Sequence, residues 1–157
     1  MPVGRASAHR LEVLAAQPRT PTELRTFISV IEDYLRQSAS GRTELAGALA
    51  EAANCSASPA EAADRVASVV GNRQSILNQL GNLRAPTGEA ARVALLLQTA
   101  LSHSIEADRY YRDWLNYVAG LQLGSCSLPR NQDFASAQRE DRRSSAAKQE
   151  FVAAFNP

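Results

Sequence analysis

Residues Glu89 to Leu121 read EAARVALLLQTALSHSIEADRYYRDWLNYVAGL, and this stretch decides the fold. Val93, Leu97, Ala100, Ser104, Ala107, Tyr111, Trp114, Val118 and Leu121 follow one another in alternating steps of four and three. The repeat holds for four heptads, with neither proline nor glycine before Gly120. Such spacing keeps one stripe facing the same way and predicts a single long helix lying along a seam between other helices. At ~1.5 Å per residue it spans roughly 50 Å.

Three further helices are expected around it. Thr20-Pro21-Thr22-Glu23 has the form of a helix start, with Thr20 as the N-cap, proline at the first helical position and glutamate closing a capping box. Leu24, Phe27, Ile28, Ile31, Tyr34 and Leu35 then form an apolar stripe. Leu45, Ala48, Leu49 and Ala52 continue it beyond Ser38 to Arg42, where Gly41 makes a kink or a break plausible. Ser58-Pro59-Ala60-Glu61 repeats the start signal for a helix carrying Ala62, Val66, Val69, Val70, Ile76, Leu77, Leu80 and Leu83. Ala85-Pro86 stops that helix, and Thr87 can cap the long one. Past a loop from Ser125 to Asn131, a last helix runs to Phe155 with Phe134, Ala137, Asp141, Ser144 or Ser145, Lys148, Phe151 or Val152, and Phe155 facing inward. Short connections make antiparallel neighbours the simplest packing. The expected architecture is all-α, an up-down-up-down four-helix bundle over residues 20–157. Residues 1–19 form an N-terminal extension or a short helix around Ala6 to Ala16. The sequence contains no internal repeat that would favour a helical array.

The chain has 157 residues, enough for one domain with a sizeable core. Seventeen basic and sixteen acidic side chains are interleaved to a net charge of +1, so neither nucleic acid nor an anionic membrane is the expected partner. No run of apolar residues is long enough to span a bilayer, and Met1 to Thr20 lacks the apolar core of a signal peptide. The polar start, and an end at Asn156-Pro157 directly after a helical run, suggest a fragment of a longer chain. A short complete protein is the alternative.

Cys55 falls in the turn between the first and second helices, and Cys126 in the loop between the third and fourth. An up-down-up-down order brings those connections to one end. A Cys55–Cys126 disulfide is therefore expected, stabilising by roughly 4 kcal/mol on the chain-entropy model and implying an extracytoplasmic location. Two unrelated loop thiols are the alternative. The two cysteines lack CxxC spacing, and His9 and His103 are far apart in the chain, so no metal site or cofactor is expected.

Counting equal distances from each turn brings the helices into register at mid-height. Gly41 falls nearly opposite Gly71, Arg73 level with about Gln98, Glu106 opposite Lys148, and Arg112 or Asp113 opposite Asp141. Arg73, Ser104, Asp141 and Lys148 thus lie on otherwise apolar stripes, with His103 beside them. Charges so placed must be paired, because an unpaired buried charge is costly. Either they form a structural layer that fixes helix register, or they line a small polar cavity for an anionic or zwitterionic molecule. In the second case Arg73, His103, Glu106 and Lys148 are the candidate ligand-binding residues. Acid–base catalysis by His103 with Glu106 or Asp108 rests on helical spacing alone. The order His103-Ser104-Ile105-Glu106 reverses the Glu-x-x-His step of carboxylate-bridged metal bundles, and no second motif matches it.

Tyr110, Tyr111, Trp114 and Tyr117 crowd the last turns of the long helix. Tyr111 and Trp114 lie on the seam. Tyr110 and Tyr117 lie on a flank, where amphipathic aromatics pack at a boundary or form a protein-recognition patch.

Two phrases, SHSIEADRYYRDWL at Ser102 to Leu115 and AAKQEFVAAFNP before the end, resemble helical domains of secreted or membrane-anchored actinobacterial proteins. That resemblance covers roughly Thr20 to Pro157, implies an extracytoplasmic location and carries no catalytic residues. The function expected is a non-enzymatic extracytoplasmic helical module of a larger protein, serving in binding or as an adaptor or sensor. Its partner is then a protein or a small polar ligand. A hydrolase-like enzyme working around His103 and a purely structural oligomerising bundle are the alternatives.

Overall fold

The computed structural model describes residues 21–156. The expectations for residues 1–19, and for Thr20 as a cap, lie outside the described residues. Four helices are present: α1 Pro21–Ala53, α2 Pro59–Asn82, α3 Gly88–Leu121 and α4 Gln132–Phe155. Among the described residues there is no strand.

Local sequence sets most of the helix starts. The Ser58 hydroxyl accepts from the Glu61 N–H while the Glu61 carboxylate accepts from the Ser58 N–H, a complete capping box with Pro59 at the first helical position. Thr87 accepts from the Ala90 N–H to start α3, and the Asn131 side chain accepts from the Phe134 N–H to start α4. At the other end of α1, Cys55 adopts a left-handed φ of 64°. That is a costly conformation for a non-glycine residue; backbone hydrogen bonds from the Cys55 N–H to the Ala52 carbonyl and from the Ala57 N–H to the Glu51 carbonyl close the turn around it.

α1 runs unbroken from Pro21 to Ala53, without the interruption expected at Gly41. A Cβ on Gly41 would lie 3.3 Å from both Arg73 Nε and Val69 Cγ1. The glycine therefore makes room for a side chain from α2 rather than breaking the helix. Gly71, the expected counterpart, faces open space. Gly41 and Gly71 therefore do not face each other across α1 and α2.

Consecutive helices pack on one another, and α3 touches all three others. Eight of the nine seam positions of α3 are buried; Leu121 is exposed. Ala90, Ala94, Leu101, Ile105, Asp108 and Leu115 are buried as well, giving α3 a far wider covered face than one heptad seam provides. No α-carbon of α1 comes within 8 Å of α4, so the bundle is open along that side.

The core is two apolar clusters. One contains Phe27, Ile31, Tyr34, Ile76, Leu80, Val93, Leu97, Leu101 and Phe151. The other, toward the disulfide, contains Ala48, Ala52, Ala62, Val66, Tyr111, Trp114, Leu115, Val118 and Ala137. Antiparallel packing follows from these lists, since the late part of each helix joins the early part of the next. Phe134 packs edge-on to Trp114 at a centroid distance of 4.7 Å, and the Trp114 Nε1–H donates to the Pro129 carbonyl at 2.9 Å. That bond ties the α3–α4 loop to the bundle. Cys55 and Cys126 form the expected disulfide, with α-carbons 5.3 Å apart, joining the α1–α2 turn to the α3–α4 loop.

Candidate functional site

Ser38, Gly41, Arg73, Ser104, Asp108 and Ser144 are all buried polar or backbone-exposing residues lying between the two apolar clusters. Arg73 is placed by α2 and Asp108 by α3, and Arg73 Nη1 donates to Asp108 Oδ2 at 2.6 Å. The two side chains are 3% and 1% exposed. Arg73 Nη2 also donates to the Ser38 carbonyl of α1 at 3.4 Å, so one guanidinium links three helices. Arg73 Nε and Asp108 Oδ1 are buried with no hydrogen-bond partner among the described residues. Burial pushes the Asp108 carboxyl up to about 6, against the downward pull of Arg73 and with a smaller push from Asp141. α3 and α4 are joined in the same layer by a 2.6 Å hydrogen bond between the Ser104 and Ser144 hydroxyls, and Ser144 also reaches the Ala100 carbonyl.

The open side of the bundle leads to this layer. A groove of about 550 Å³ runs between α1 and α4, lined by Arg42, Leu45, Ala46 and Leu49 of α1, Tyr111 of α3, and Asp141, Ser144, Ser145 and Lys148 of α4. The Tyr111 hydroxyl donates to Asp141 Oδ2 at 2.7 Å. Burial raises the Tyr111 hydroxyl well above the ordinary tyrosine range, and the Asp141 hydrogen bond adds to the rise. Lys148 is half-buried, and among the described residues neither it nor Arg42 has a hydrogen-bond or ion-pair partner. Burial lowers the Lys148 ammonium to about 8. Arg42 and Arg73 add to the fall, while Asp141 and Asp108 oppose it. Hydroxyls, a carboxylate and two cations beside the half-buried Leu45 and Leu49 can hold a small amphiphilic molecule.

The four residues read from sequence as ligand-binding do not converge. Only Lys148 lines the groove. Arg73 is spent on Asp108 and Ser38. His103 Nδ1 lies 2.8 Å from Glu140 Oε2 on α4, and Glu140 also accepts from Arg143. Burial raises the Glu140 carboxyl, but the hydrogen bonds from His103 and Arg143 outweigh it and hold the group below its usual value. Glu106 accepts from Arg109 one turn along its own helix instead of facing Lys148. The reason is register: Ser104 meets Ser144 and Tyr111 meets Asp141, which the symmetric count displaced along α4.

Sequence reasoning left out Asp108 as the partner of Arg73, and Arg42 as the second groove cation. Asp108 stands seven residues after Leu101 and three after Ile105, both buried, a spacing that places it on an inward face of α3. Arg42 carries no comparable signal. Tyr117 is 49% exposed, whereas Tyr110 is half-buried against the disulfide-end cluster, so the two flank tyrosines do not share one exposure.

Among the described residues no group of three or more His, Cys, Asp or Glu is arranged to hold a metal ion. No helix of the described residues is long and apolar enough to cross a membrane. The chain matches no protein-family model, no curated protein and no solved structure in the comparisons made.

Proposed function

We propose that this chain is a non-enzymatic binding module that works outside the cytoplasm and takes a small ligand in the open groove between α1 and α4. One observation carries the binding reading: two cations, the half-buried Lys148 and the exposed Arg42, line that groove with no hydrogen-bond or ion-pair partner among the described residues. Leaving a half-buried ammonium unpaired costs stability, and a ligand supplies the missing counter-charge. The disulfide supports the location, since such bonds persist in oxidising compartments. The resemblance to secreted or membrane-anchored actinobacterial domains points the same way.

An enzyme centred on His103 has less support. Its ring is engaged by Glu140, and among the described residues no serine, threonine or cysteine is hydrogen-bonded to it. A thermal-shift screen of small polar and amphiphilic molecules tests the binding reading, run beside a Leu49→Trp variant that fills the groove. Hits that vanish in the variant support it; no hits, or hits indifferent to the variant, contradict it. Alkylation of thiols in intact source cells tests the location, and two modified cysteines would overturn it.

A further inference from the structure

The groove's chemistry narrows what it can hold. Its charged lining is Arg42 and Lys148 against Asp141. This leaves one excess positive charge. The cations come from opposite walls, α1 and α4, and repel each other: after burial, Arg42 is the largest influence depressing the Lys148 ammonium. An anion seated between them relieves that repulsion and gains charge-assisted hydrogen bonds from both sides. Asp141 is committed through Oδ2 to the Tyr111 hydroxyl. Its remaining charge disfavours a dianion and a second carboxylate. Next to the cations, Leu45 and Leu49 are half-buried, pack on the disulfide-end cluster and leave part of their surface facing the groove. They offer an apolar bed beside the charged rim.

We infer that the groove between α1 and α4 is a binding site for a monocarboxylate with an apolar body, its carboxylate held between Arg42 and Lys148 and its body lying on Leu45 and Leu49. This rests on the reading of the groove as a binding site and names the ligand class for it. An amine of the same shape meets two like charges. A neutral amide gains no charge relief. An amino acid brings an ammonium that must be desolvated beside two like charges, with Asp141 as its one carboxylate neighbour in the groove.

Calorimetric titration of the full chain with hexanoate, hexylamine, hexanamide and norleucine tests this. Hexanoate is expected to bind saturably and more tightly than the other three. Lys148→Met and Arg42→Gln are each expected to weaken it by about tenfold, the usual loss for a charge-assisted hydrogen bond. At pH near 8.5 hexanoate binding should take up protons, because the carboxylate restores the Lys148 ammonium, and the measured heat should then depend on the ionisation heat of the buffer. Lys148→Met should abolish that dependence. A binding loss in Lys148→Met without loss of thermal stability separates a ligand role from a structural one. Tighter binding of hexylamine, hexanamide or norleucine would overturn the ligand class and leave a binding groove. Hexanoate binding indifferent to both substitutions would overturn the site. Silence from all four probes would overturn the ligand class, while the thermal-shift screen against Leu49→Trp decides the binding reading separately.

Discussion

Arg73 and Asp108, thirty-five residues apart in sequence, meet at 2.6 Å in the centre of the bundle and join α2 to α3. Both come from helices that are apolar above and below them, so the pair sits between two hydrophobic clusters. Such a pair contributes little net stability over a well-packed apolar pair, but breaking it strands a charge. A shifted register would separate the two groups and leave both charges buried and unpaired.

Arg73→Met is therefore expected to destabilise strongly and with a defined pH dependence. Burial already holds the Asp108 carboxyl up to about 6. A carboxyl raised in the fold binds its proton more tightly there than when unfolded. Its stabilising contribution is fully present below the unfolded value near 4 and is lost as pH rises through about 6. Asp141 and Lys148 of α4 also act on it, in opposite senses. Removing Arg73 takes away the largest downward influence, so the variant should lose about 3–5 kcal/mol at pH 8 and distinctly less at pH 5. Denaturant unfolding at both pH values checks this; equal deficits would contradict it.

Gly41→Ala sets helix propensity against space. Alanine gains about 1 kcal/mol in a helix interior. Its Cβ would press at 3.3 Å on Arg73 Nε and Val69 Cγ1, and Arg73 is fixed by Asp108. The substitution should destabilise the native chain and stabilise the Arg73→Met variant. A double-mutant cycle of denaturation midpoints reads that change of sign.

Lys148→Met should leave the fold unharmed or better. An ammonium lowered to about 8 in the fold disfavours its charged form there. Stability should rise with pH between about 8 and the unfolded lysine value near 10.4, and fall as pH drops through about 8. Solvent screening leaves a gain of about 1 kcal/mol for the variant at neutral pH. Unfolding curves across pH 7 to 10 check it: the native chain should show that slope and the variant should have lost it. A variant destabilised at pH 7 would contradict it.

Replacing Cys55 and Cys126 together by serine should cost about 4 kcal/mol on the chain-entropy model, for a loop spanning 71 residues. For a chain of this size that is roughly 10 °C in melting temperature. Calorimetry of the double variant against the native chain is the measurement.

The helices and the disulfide were legible because each rests on local or topological rules. Heptad steps mark the α3 seam, Ser58-Pro59 and Thr87 mark helix starts, and alternating hairpins bring Cys55 to Cys126. Leu101, Ile105 and Leu115 escaped the seam because α3 is covered by three helices, whereas a heptad describes one contact line. The site was less legible. Counting from a turn treats each side chain as level with its α-carbon, yet the long Arg73 side chain reaches Asp108 rather than the neighbourhood of Gln98. The same count misaligned α3 and α4 enough to pair Glu106 with Lys148. The groove itself could not be read from periodicity, since it arises where α1 and α4 fail to close.

The most direct measurement is amide chemical-shift mapping of the full chain during titration with hexanoate. The expected result is saturable shifts concentrated at Leu45, Ala46, Leu49, Ser145 and Lys148, on the facing sides of α1 and α4, with the His103–Glu140 pair and the disulfide loops unmoved. Shifts centred on His103 and Glu140, on the disulfide end, or absent throughout would contradict it.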